Sequence, residues 1–351
     1  MLKIDPGFVI GLKKFGAVDI NACYNCGNCT AICPLSTDDN SFPRKMLRYS
    51  VLGLESKMEN SLEPWLCYYC GECSETCPRE ANPGELMMAL RRWLTSKYDW
   101  TGLSGLLYTS IPALIIGFVL VAIAIIGIGF AKHFDIEAVM DFGHHFELIA
   151  ILSVFSLILV PNIIRMFWFT IIKEKIKAPI ISYIKGFWDL ILHMFTQKNA
   201  LTCENNTFRW FEHLVIVFGY LLLLFTTVFL NWFSTENTFI IWLGYIASGM
   251  IFVFTFDFIL SRIKKKKEIS KFSHPSDWLF VIWLFLFAFT AFLVRVFIDT
   301  DLIGNNLWLY MAHLIFIAQW AILIVPFGKW THFLYRSFAM YFERVRIEAK
   351  K

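Results

Sequence analysis

Eight of the nine cysteines lie in two copies of one spacing pattern, C-x2-C-x2-C-x3-C-P. The first copy runs from Cys23 to Pro34 and the second from Cys67 to Pro78. This spacing binds cubane iron–sulfur clusters, and the fourth cysteine of each run ligates the cluster of the other run. The pattern therefore predicts two [4Fe–4S] clusters, one on Cys23, Cys26, Cys29 and Cys77, the other on Cys67, Cys70, Cys73 and Cys33.

Other uses of cysteine fit this pattern poorly. Disulfides require an oxidising compartment, which disagrees with the lysine-rich inner loops described below. Zinc usually takes its four ligands as two separated pairs rather than as runs of three plus one. Cys203 has no partner in the sequence, and we expect it to be a buried or interfacial thiol.

The polarity of the chain changes near residue 100. Hydrophobic residues make up 57% of the sequence and charged residues only 17%, whereas typical soluble proteins have about 45–50% and about 25%. Residues 1–100 are polar enough for a small soluble domain, and residues 101–351 alternate long apolar runs with short charged loops. We therefore expect a domain for two clusters over 1–100 and a transmembrane domain over 101–351.

Six apolar runs are long enough to cross a bilayer, which takes roughly 20 residues of helix. Together with the helical patterns in the cysteine region, they predict an all-α protein. Its expected architecture is an N-terminal α-helical ferredoxin domain followed by a six-span transmembrane helical bundle. The expected spans are approximately 105–130, 146–171, 211–233, 239–261, 277–298 and 306–328.

The distribution of lysine and arginine predicts the orientation of these spans. Basic segments follow spans two, four and six, at 173–185, 262–271 and 329–351, whereas the opposite loops are acidic or neutral. An excess of positive charge marks cytoplasmic loops. We therefore expect a multi-pass protein in the lipid of the inner (cytoplasmic) membrane. Both termini and both clusters are expected to lie in the cytoplasm.

Two helices are expected in the cysteine region. Between the two runs, apolar residues recur at helical spacing, at Leu47, Val51, Leu54 and Met58. After the second run, Asn82 is expected to cap a helix that has Pro83 at its first position. The residues that share one face of this second helix are Leu86, Leu90 and Trp93.

Histidines near the ends of the spans are candidate haem ligands, because ionisable residues in membrane segments are costly and often functional. His213 begins span three and His332 follows span six, so both are expected at one depth on the cytoplasmic side. Two such imidazoles form a ligand pair for a b-type haem. His313 lies on the order of 28 Å from His332 along a straight helix, so it belongs to a second, outer haem if it is a ligand.

That outer haem requires a second ligand at matching depth, and His144 or His145 at the start of span two is the favoured choice. His193 lies in an amphipathic stretch that we expect to lie flat on the inner membrane surface. It remains open as an alternative haem ligand, a quinone-site residue or an ordinary interfacial histidine. The sequence thus predicts one or two b-type haems.

Nucleotide chemistry is not expected in this chain. The sequence contains neither a phosphate-binding glycine loop, nor a dinucleotide fingerprint, nor an H-E-x-x-H zinc motif. Any flavin or nucleotide reaction is therefore assigned to a partner, and no catalytic residue is assigned here. We expect no nucleic-acid partner.

Over nearly its full length the chain resembles the QmoC family, the membrane subunits of quinone-interacting membrane-bound oxidoreductases. The cysteine half resembles the C subunit of heterodisulfide reductase, and the membrane half resembles that enzyme's b-type cytochrome subunit. The final segment is also similar to the haem-bearing last helix of the nitrate reductase gamma subunit. That subunit has a further histidine where this chain has Phe218–Phe225. The resemblance is carried by both cysteine runs, the second within Trp65–Arg91, and by the segments Cys203–His213, Ser276–Trp278 and Met311–Arg336.

This resemblance implies an electron-transfer subunit of an oxidoreductase complex. It would pass electrons between the menaquinone pool and cytoplasmic flavin and iron–sulfur subunits of the QmoA and QmoB type, in dissimilatory sulfur metabolism. The route would use b haem and the two clusters. Two alternatives remain: a subunit of another heterodisulfide-reductase-like or hydrogenase-linked complex, and a haem-free membrane polyferredoxin for metal-centre assembly or redox sensing.

Overall fold

Short helices precede six long apolar helices in a computed structural model, which describes residues 4–197, 201, 207–265 and 268–350. Over these ranges no β-strand forms, and one isolated bridge joins Thr37 to Asn40. The predicted all-α fold, with a ferredoxin-like region before six candidate membrane spans, is confirmed. Cys203 lies outside the described residues, so the expectation of an ordinary thiol there stays a prediction.

The cysteine region is built from short helices around one longer helix. The longer helix buries Leu86 and Leu90 completely, and Trp93 is 6% exposed, so the predicted apolar face is confirmed. These side chains form the centre of the first hydrophobic core. In chain order the helices are α1 (Phe8–Lys14), α2 (Asn28–Ile32), α3 (Arg44–Val51), α4 (Glu55–Glu59), α5 (Glu63–Leu66), α6 (Glu72–Glu75), α7 (Pro83–Tyr98) and α8 (Leu103–Thr109).

Two local predictions in this region are wrong. The chain between the cysteine runs forms α3 and α4 rather than one helix, because it turns at Gly53 in the left-handed region with φ +67°. A Cβ at Gly53 would lie 2.1 Å from the carbonyl oxygen of Asp5, so the close approach requires glycine. Asn82 precedes α7 but does not cap it, because its backbone is left-handed, with φ 48° and ψ 59°, rather than extended as in a side-chain N-cap.

The membrane region contains long helices and a shorter amphipathic one, α11. Many apolar side chains on the long helices are exposed, which is the surface that lipid requires. The helices are α9 (Ile111–Ala131), α10 (Ile136–Ile172), α11 (Ile180–Thr196), α12 (Thr207–Val228), α13 (Thr238–Lys264), the short α14 (Glu268–Lys271), α15 (Pro275–Asp299), α16 (Leu307–Gln319, continuing through a π-helical turn at Trp320–Ile324 to Val325–Phe327) and α17 (Thr331–Glu348).

Several span boundaries differ from the prediction. Span one begins at Ile111 rather than 105, because Ser110 is extended and its hydroxyl caps α9 by accepting from the Ala113 amide. Span two begins at Ile136 rather than 146, and span three ends at Val228 rather than 233. A prediction from composition joins the apolar residues on both sides of such a break into one run. It therefore misses local caps and turns.

The sixth span does not continue as one straight helix to His332. Gly328 is extended between α16 and α17, with φ −107° and ψ −161°, and its amide donates to the carbonyl of Ile324. His332 therefore begins a separate helix, while His313 lies on α16. The straight-helix estimate of their separation does not apply to this chain.

The cysteine region packs directly on one end of the bundle, here called the cluster end. The ring of Trp65 lies 5.2 Å from that of Tyr335, and the ring of Tyr98 lies 5.4 Å from it. Arg92 of α7 forms a 2.7 Å ion pair with Asp277 of α15. Packing is therefore continuous across residue 100, where the composition changes.

Candidate functional site

The two cysteine loops repeat the same backbone conformation. Asn25 and Tyr69 occupy equivalent positions and both lie in the left-handed region, with φ of 58° and 55°. Gly27 and Gly71 follow with φ of 92° and 94°, and each precedes a short helix. Non-glycine residues seldom adopt this conformation, so the match indicates that both loops fold around the same type of group.

Backbone amides point at three of the cysteine sulfurs. Such N–H···S contacts are among the factors that set the reduction potential of an iron–sulfur cluster. In two of these contacts the donating amide lies two residues after the first cysteine of its run. The contacts are Asn25 to the Sγ of Cys23 at 3.3 Å, Tyr69 to the Sγ of Cys67 at 3.3 Å and Ala81 to the Sγ of Cys77 at 3.4 Å.

The eight cysteines line two separate cavities. In each cavity the fourth cysteine comes from the opposite run, as the predicted ligand sets require. Among the described residues no group of three or more metal-binding side chains lies close enough together to hold a single metal ion. A four-iron cluster is larger and fills a cavity between its thiolates. One cavity is lined by Cys33, Cys67, Cys70 and Cys73, the other by Cys23, Cys26, Cys29 and Cys77.

The surroundings of these thiols favour a bound cation over free thiolates. Burial raises the pKa of Cys33 to about 11, and it also raises the pKa of Cys29 and of Cys73. An unbound thiolate would therefore be costly here. A coordinated metal removes this cost, because its charge deprotonates the thiol. The donor set thus fits iron–sulfur clusters.

His213 of α12 and His332 of α17 form a close pair at the cluster end. Their ring centres are 6.1 Å apart and their planes make an angle of 75°. A metal–imidazole bond of about 2.0–2.1 Å places two opposed ring centres roughly 6 Å apart. The spacing therefore fits one metal ion held between the two rings.

Each ring of this pair keeps a nitrogen available for a ligand. The Nδ1 of His332 lies 2.5 Å from the carbonyl oxygen of Lys329, which leaves its Nε2 open. Metal-binding histidines typically donate their other ring N–H to such an acceptor. The Nδ1 of His213 is buried without a partner among the described residues.

The cavity around this pair has an apolar part and a basic part. A haem b is an apolar ring with two carboxylates, so it requires both kinds of wall. The apolar part is lined by residues that include Ile216, Tyr220, Leu284, Trp320 and Trp330. The basic part, of about 180 Å³, includes Arg91, Arg209, Arg262, Lys329 and Arg336. The residues present therefore fit a haem b.

Tyr68 and Tyr69 separate the histidine cavity from the nearer cysteine cavity, and they line both. The guanidinium of Arg209 donates to the carbonyl of Tyr69 at 3.1 Å. That of Arg336 lies 4.7 Å from the centre of the Tyr68 ring. Sequence reasoning did not single out this tyrosine pair, although its position inside the second cysteine run was the available signal.

His313 lies apart from this pair, in a closely packed aromatic shell. It is 1% exposed, its Nδ1 is 2.9 Å from the hydroxyl of Thr290, and its Nε2 has no partner in the described ranges. The neighbouring rings are Phe233 at 5.5 Å, Phe287 at 6.0 Å and Tyr310 at 6.4 Å.

His144 and His145 are not among the rings that contact His313. The ring of His145 is largely exposed, and its Nδ1 lies 2.9 Å from the carbonyl oxygen of Asp141. The His144 ring lies against that of His145, at 5.9 Å. An outer haem between His313 and either of these histidines stays a prediction.

Comparison with known proteins identifies the cysteine region. Residues 19–81 match the 4Fe-4S dicluster domain family. Over 88 residues the chain is 35% identical to a protein of Archaeoglobus profundus described as like the C subunit of heterodisulfide reductase, and the match covers 25% of this chain and 47% of that protein. The chain thus spans about half the length of this curated relative. No solved structure matches.

Proposed function

We propose that this iron–sulfur chain is a membrane subunit that carries electrons between the menaquinone pool and a cytoplasmic flavin and iron–sulfur partner. The carriers are one b-type haem, held by His213 and His332, and the two [4Fe–4S] clusters. The observation that carries the proposal is the shared wall of Tyr68 and Tyr69. These residues place the histidine cavity directly beside a four-cysteine cavity.

The arrangement supports an order for the carriers. A cluster held by the cysteine set of Cys67 would be the nearer partner of a haem held by His213 and His332, because the two cavities share the Tyr68–Tyr69 wall. Electrons would then pass to the set of Cys23, whose loop lies at the surface with Cys26 and Tyr24 exposed. The soluble partner is expected to dock at this exposed loop. A quinol delivers two electrons, so the carriers pass them one at a time.

The bound groups supply reversible one-electron chemistry, and the chain supplies position and environment. His213 and His332 would hold the haem, and the Lys329 carbonyl fixes the His332 ring. The apolar wall of the cavity would keep water away from the haem. Arg209 lies beside the basic part of the cavity and holds the Tyr69 carbonyl, so it links the haem surroundings to the second cysteine run.

The Qmo-type assignment belongs to the same proposal. It is supported by the resemblance along the chain and by the relative of the cysteine region, which is described as like the C subunit of heterodisulfide reductase. In this assignment the partners are cytoplasmic subunits of the QmoA and QmoB type in dissimilatory sulfur metabolism. The proposed setting is the inner membrane, with both clusters on the cytoplasmic side.

Replacing either inner histidine tests the haem assignment. In His213→Ala and His332→Ala we expect loss of the b-type α-band, because each variant lacks one of the two imidazoles that would hold the haem. The electron paramagnetic resonance signals of both clusters should persist. The measurement is the reduced-minus-oxidised spectrum of the purified full chain, with haem counted per polypeptide.

His144→Ala and His145→Ala are the matched controls, since neither ring contacts the inner pair. Both should retain one haem per chain. An unchanged α-band in the His213 and His332 variants would refute these ligands. A wild-type chain with clusters but no haem would refute the haem route and favour a haem-free polyferredoxin.

A further inference from the structure

Helix α11 is amphipathic and lies beside the histidine cavity. One face buries Ser182, Gly186, Leu190 and His193. A Cβ at Gly186 would lie 2.9 Å from the ring of Tyr341, so α11 and α17 are in close contact. The opposite face exposes large apolar side chains: Ile180, Ile184, Phe187, Trp188, Leu192 and Phe195. Such a helix lies in the membrane interface with its apolar face in the lipid.

The C-terminal end of α11 directs two polar side chains into the histidine cavity. His193 and Gln197 both line it. His193 is 8% exposed, and its ring makes no hydrogen bond within the described part of the chain. The Nε2 of Gln197 is buried, and it too has no partner among the described residues. A buried donor without a partner is costly, so the Gln197 amide indicates a polar ligand in the cavity that His193 also lines.

The backbone of Gln197 ends α11. Gln197 lies in the left-handed region, with φ 47°, and its amide donates to the carbonyl of His193 at 2.9 Å. A left-handed residue commonly ends a helix, and here its side chain lines the cavity.

The charge state of His193 suits a neutral ligand. Burial, assisted by the charge of Arg336, lowers the pKa of His193 to about 4. The imidazole is therefore neutral near pH 7 and offers one N–H donor and one nitrogen acceptor. Gln197 adds amide donors and a carbonyl acceptor. Together they can pair with the carbonyls of a quinone or with the hydroxyls of a quinol.

We propose that His193 and Gln197 bind the head group of a membrane quinone at the cluster end, beside the His213–His332 pair. This site rests on the proposed function and assigns the residues that recognise its quinone. The exposed apolar face of α11 provides the lipid-side approach for the isoprenoid tail. The indole of Trp210 donates to the carbonyl of Thr196 at 3.0 Å and so joins α11 to α12 at this edge.

The redox step balances with the carriers already named. Oxidation of one bound quinol to the quinone releases two electrons and two protons. A haem held by His213 and His332, and clusters held by the eight cysteines, would be the acceptors of these two electrons, one at a time. The imidazole nitrogen of His193 would accept a proton from the quinol hydroxyl and pass it to water at the membrane surface, while Gln197 would hold the head group by hydrogen bonds. Quinone reduction is the same step reversed.

The test measures quinone affinity in the full chain, reconstituted in nanodiscs. The probe is a menaquinone analogue with a short isoprenoid tail, and the readout is quenching of tryptophan fluorescence. We expect His193→Leu and Gln197→Leu each to weaken binding about tenfold, as loss of a buried hydrogen bond predicts. His193→Gln retains an N–H donor and should recover most of the affinity. Lys185→Gln, on the exposed part of α11, should bind like the wild type.

The haem α-band and the cluster signals of each variant establish that it is folded. Unchanged quinone affinity in both leucine variants would overturn the site. So would a loss of affinity for phosphatidylglycerol with unchanged quinone affinity, because the pair would then recognise a lipid head group. A wild-type chain that binds haem but no quinone would refute the proposed function itself.

Discussion

Buried polar side chains hold the second cysteine run in place. The guanidinium of Arg91 is 9% exposed, and it donates to the carbonyls of Pro64, Trp65 and Cys67. Pro64 and Trp65 lie in α5 and Cys67 directly follows it. A single side chain of α7 thereby satisfies carbonyl groups at the C-terminal end of α5, which have no partner within the helix.

Glu85 lies on the same helix as Arg91 and accepts a hydrogen bond from the hydroxyl of Tyr69. It is 6% exposed, and burial raises its pKa from 4.5 to about 7. Between these two pH values the unfolded chain loses a proton that the folded protein keeps. This group therefore stabilises the folded state less as the pH rises from 4.5 to about 7.

Glu85→Gln should remove that part of the pH dependence, because glutamine does not titrate. We expect the thermal midpoint of the wild type to fall between pH 4.5 and 7 relative to the variant. The measurement is the loss of cluster absorbance on heating at several pH values. Glu75→Gln, at an exposed position nearby, is the control and should follow the wild type. Parallel wild-type and Glu85→Gln curves would contradict the assignment.

At the scale of elements, the packing of α13 depends on one close approach. The ring of Trp232 is completely buried against Gly244, and its indole donates to the carbonyl of Ile241 at 3.1 Å. A Cβ at Gly244 would lie 2.1 Å from two atoms of this ring. No side chain larger than hydrogen fits without moving the indole.

Gly244→Ala should therefore destabilise the bundle by about 1–3 kcal/mol, the usual cost of overpacking a core. Gly249→Ala on the same helix is the matched control, because no atom lies within 4 Å of its Cβ position. Alanine there should be neutral, or stabilising by up to about 1 kcal/mol through helix propensity. Thermal unfolding of both variants in detergent gives the comparison, and equal midpoints would rule out this packing.

At the scale of the whole molecule, a buried ion network joins the cysteine region to the bundle. The carboxylate of Asp277 accepts from Arg92 and from Lys329, both at 2.7 Å. Arg92 also donates to the carbonyl of Phe15 at 2.8 Å. Three segments far apart in sequence therefore meet at one carboxylate, close to the histidine cavity that Lys329 also lines.

Asp277→Asn should loosen this junction, because it leaves the buried Arg92 without its counter-charge. Breaking one partner of a buried pair typically costs about 3–5 kcal/mol. We expect faster hydrogen exchange in α7 and earlier loss of the clusters on heating. Asp257→Asn, at an exposed carboxylate on α13, should change neither. Equal exchange in α7 in both variants would show that the network does not hold the junction.

The chemistry of the cysteines could be predicted from the sequence because their spacing is local. Cys23, Cys26 and Cys29 converge through a single loop, and the loop geometry depends on glycine at Gly27. The six spans and the all-α fold also followed from composition, since bilayer thickness sets a minimum run of apolar residues. The helix breaks at Gly53 and Gly328 could not be predicted from composition, because each depends on a contact or turn that composition does not describe.

The amino-acid sequence by itself determined the spacing within each cysteine run and the number of candidate spans, because each depends on near neighbours in the chain. The sequence predicted His213 and His332 as a pair from their common depth, but only the tertiary structure decided the distance and angle between their rings. It also decided that the rings of His144 and His145 contact each other and not that of His313. The Tyr68–Tyr69 wall and the cavity position of His193 depend on the same long-range packing, which no spacing along the chain encodes.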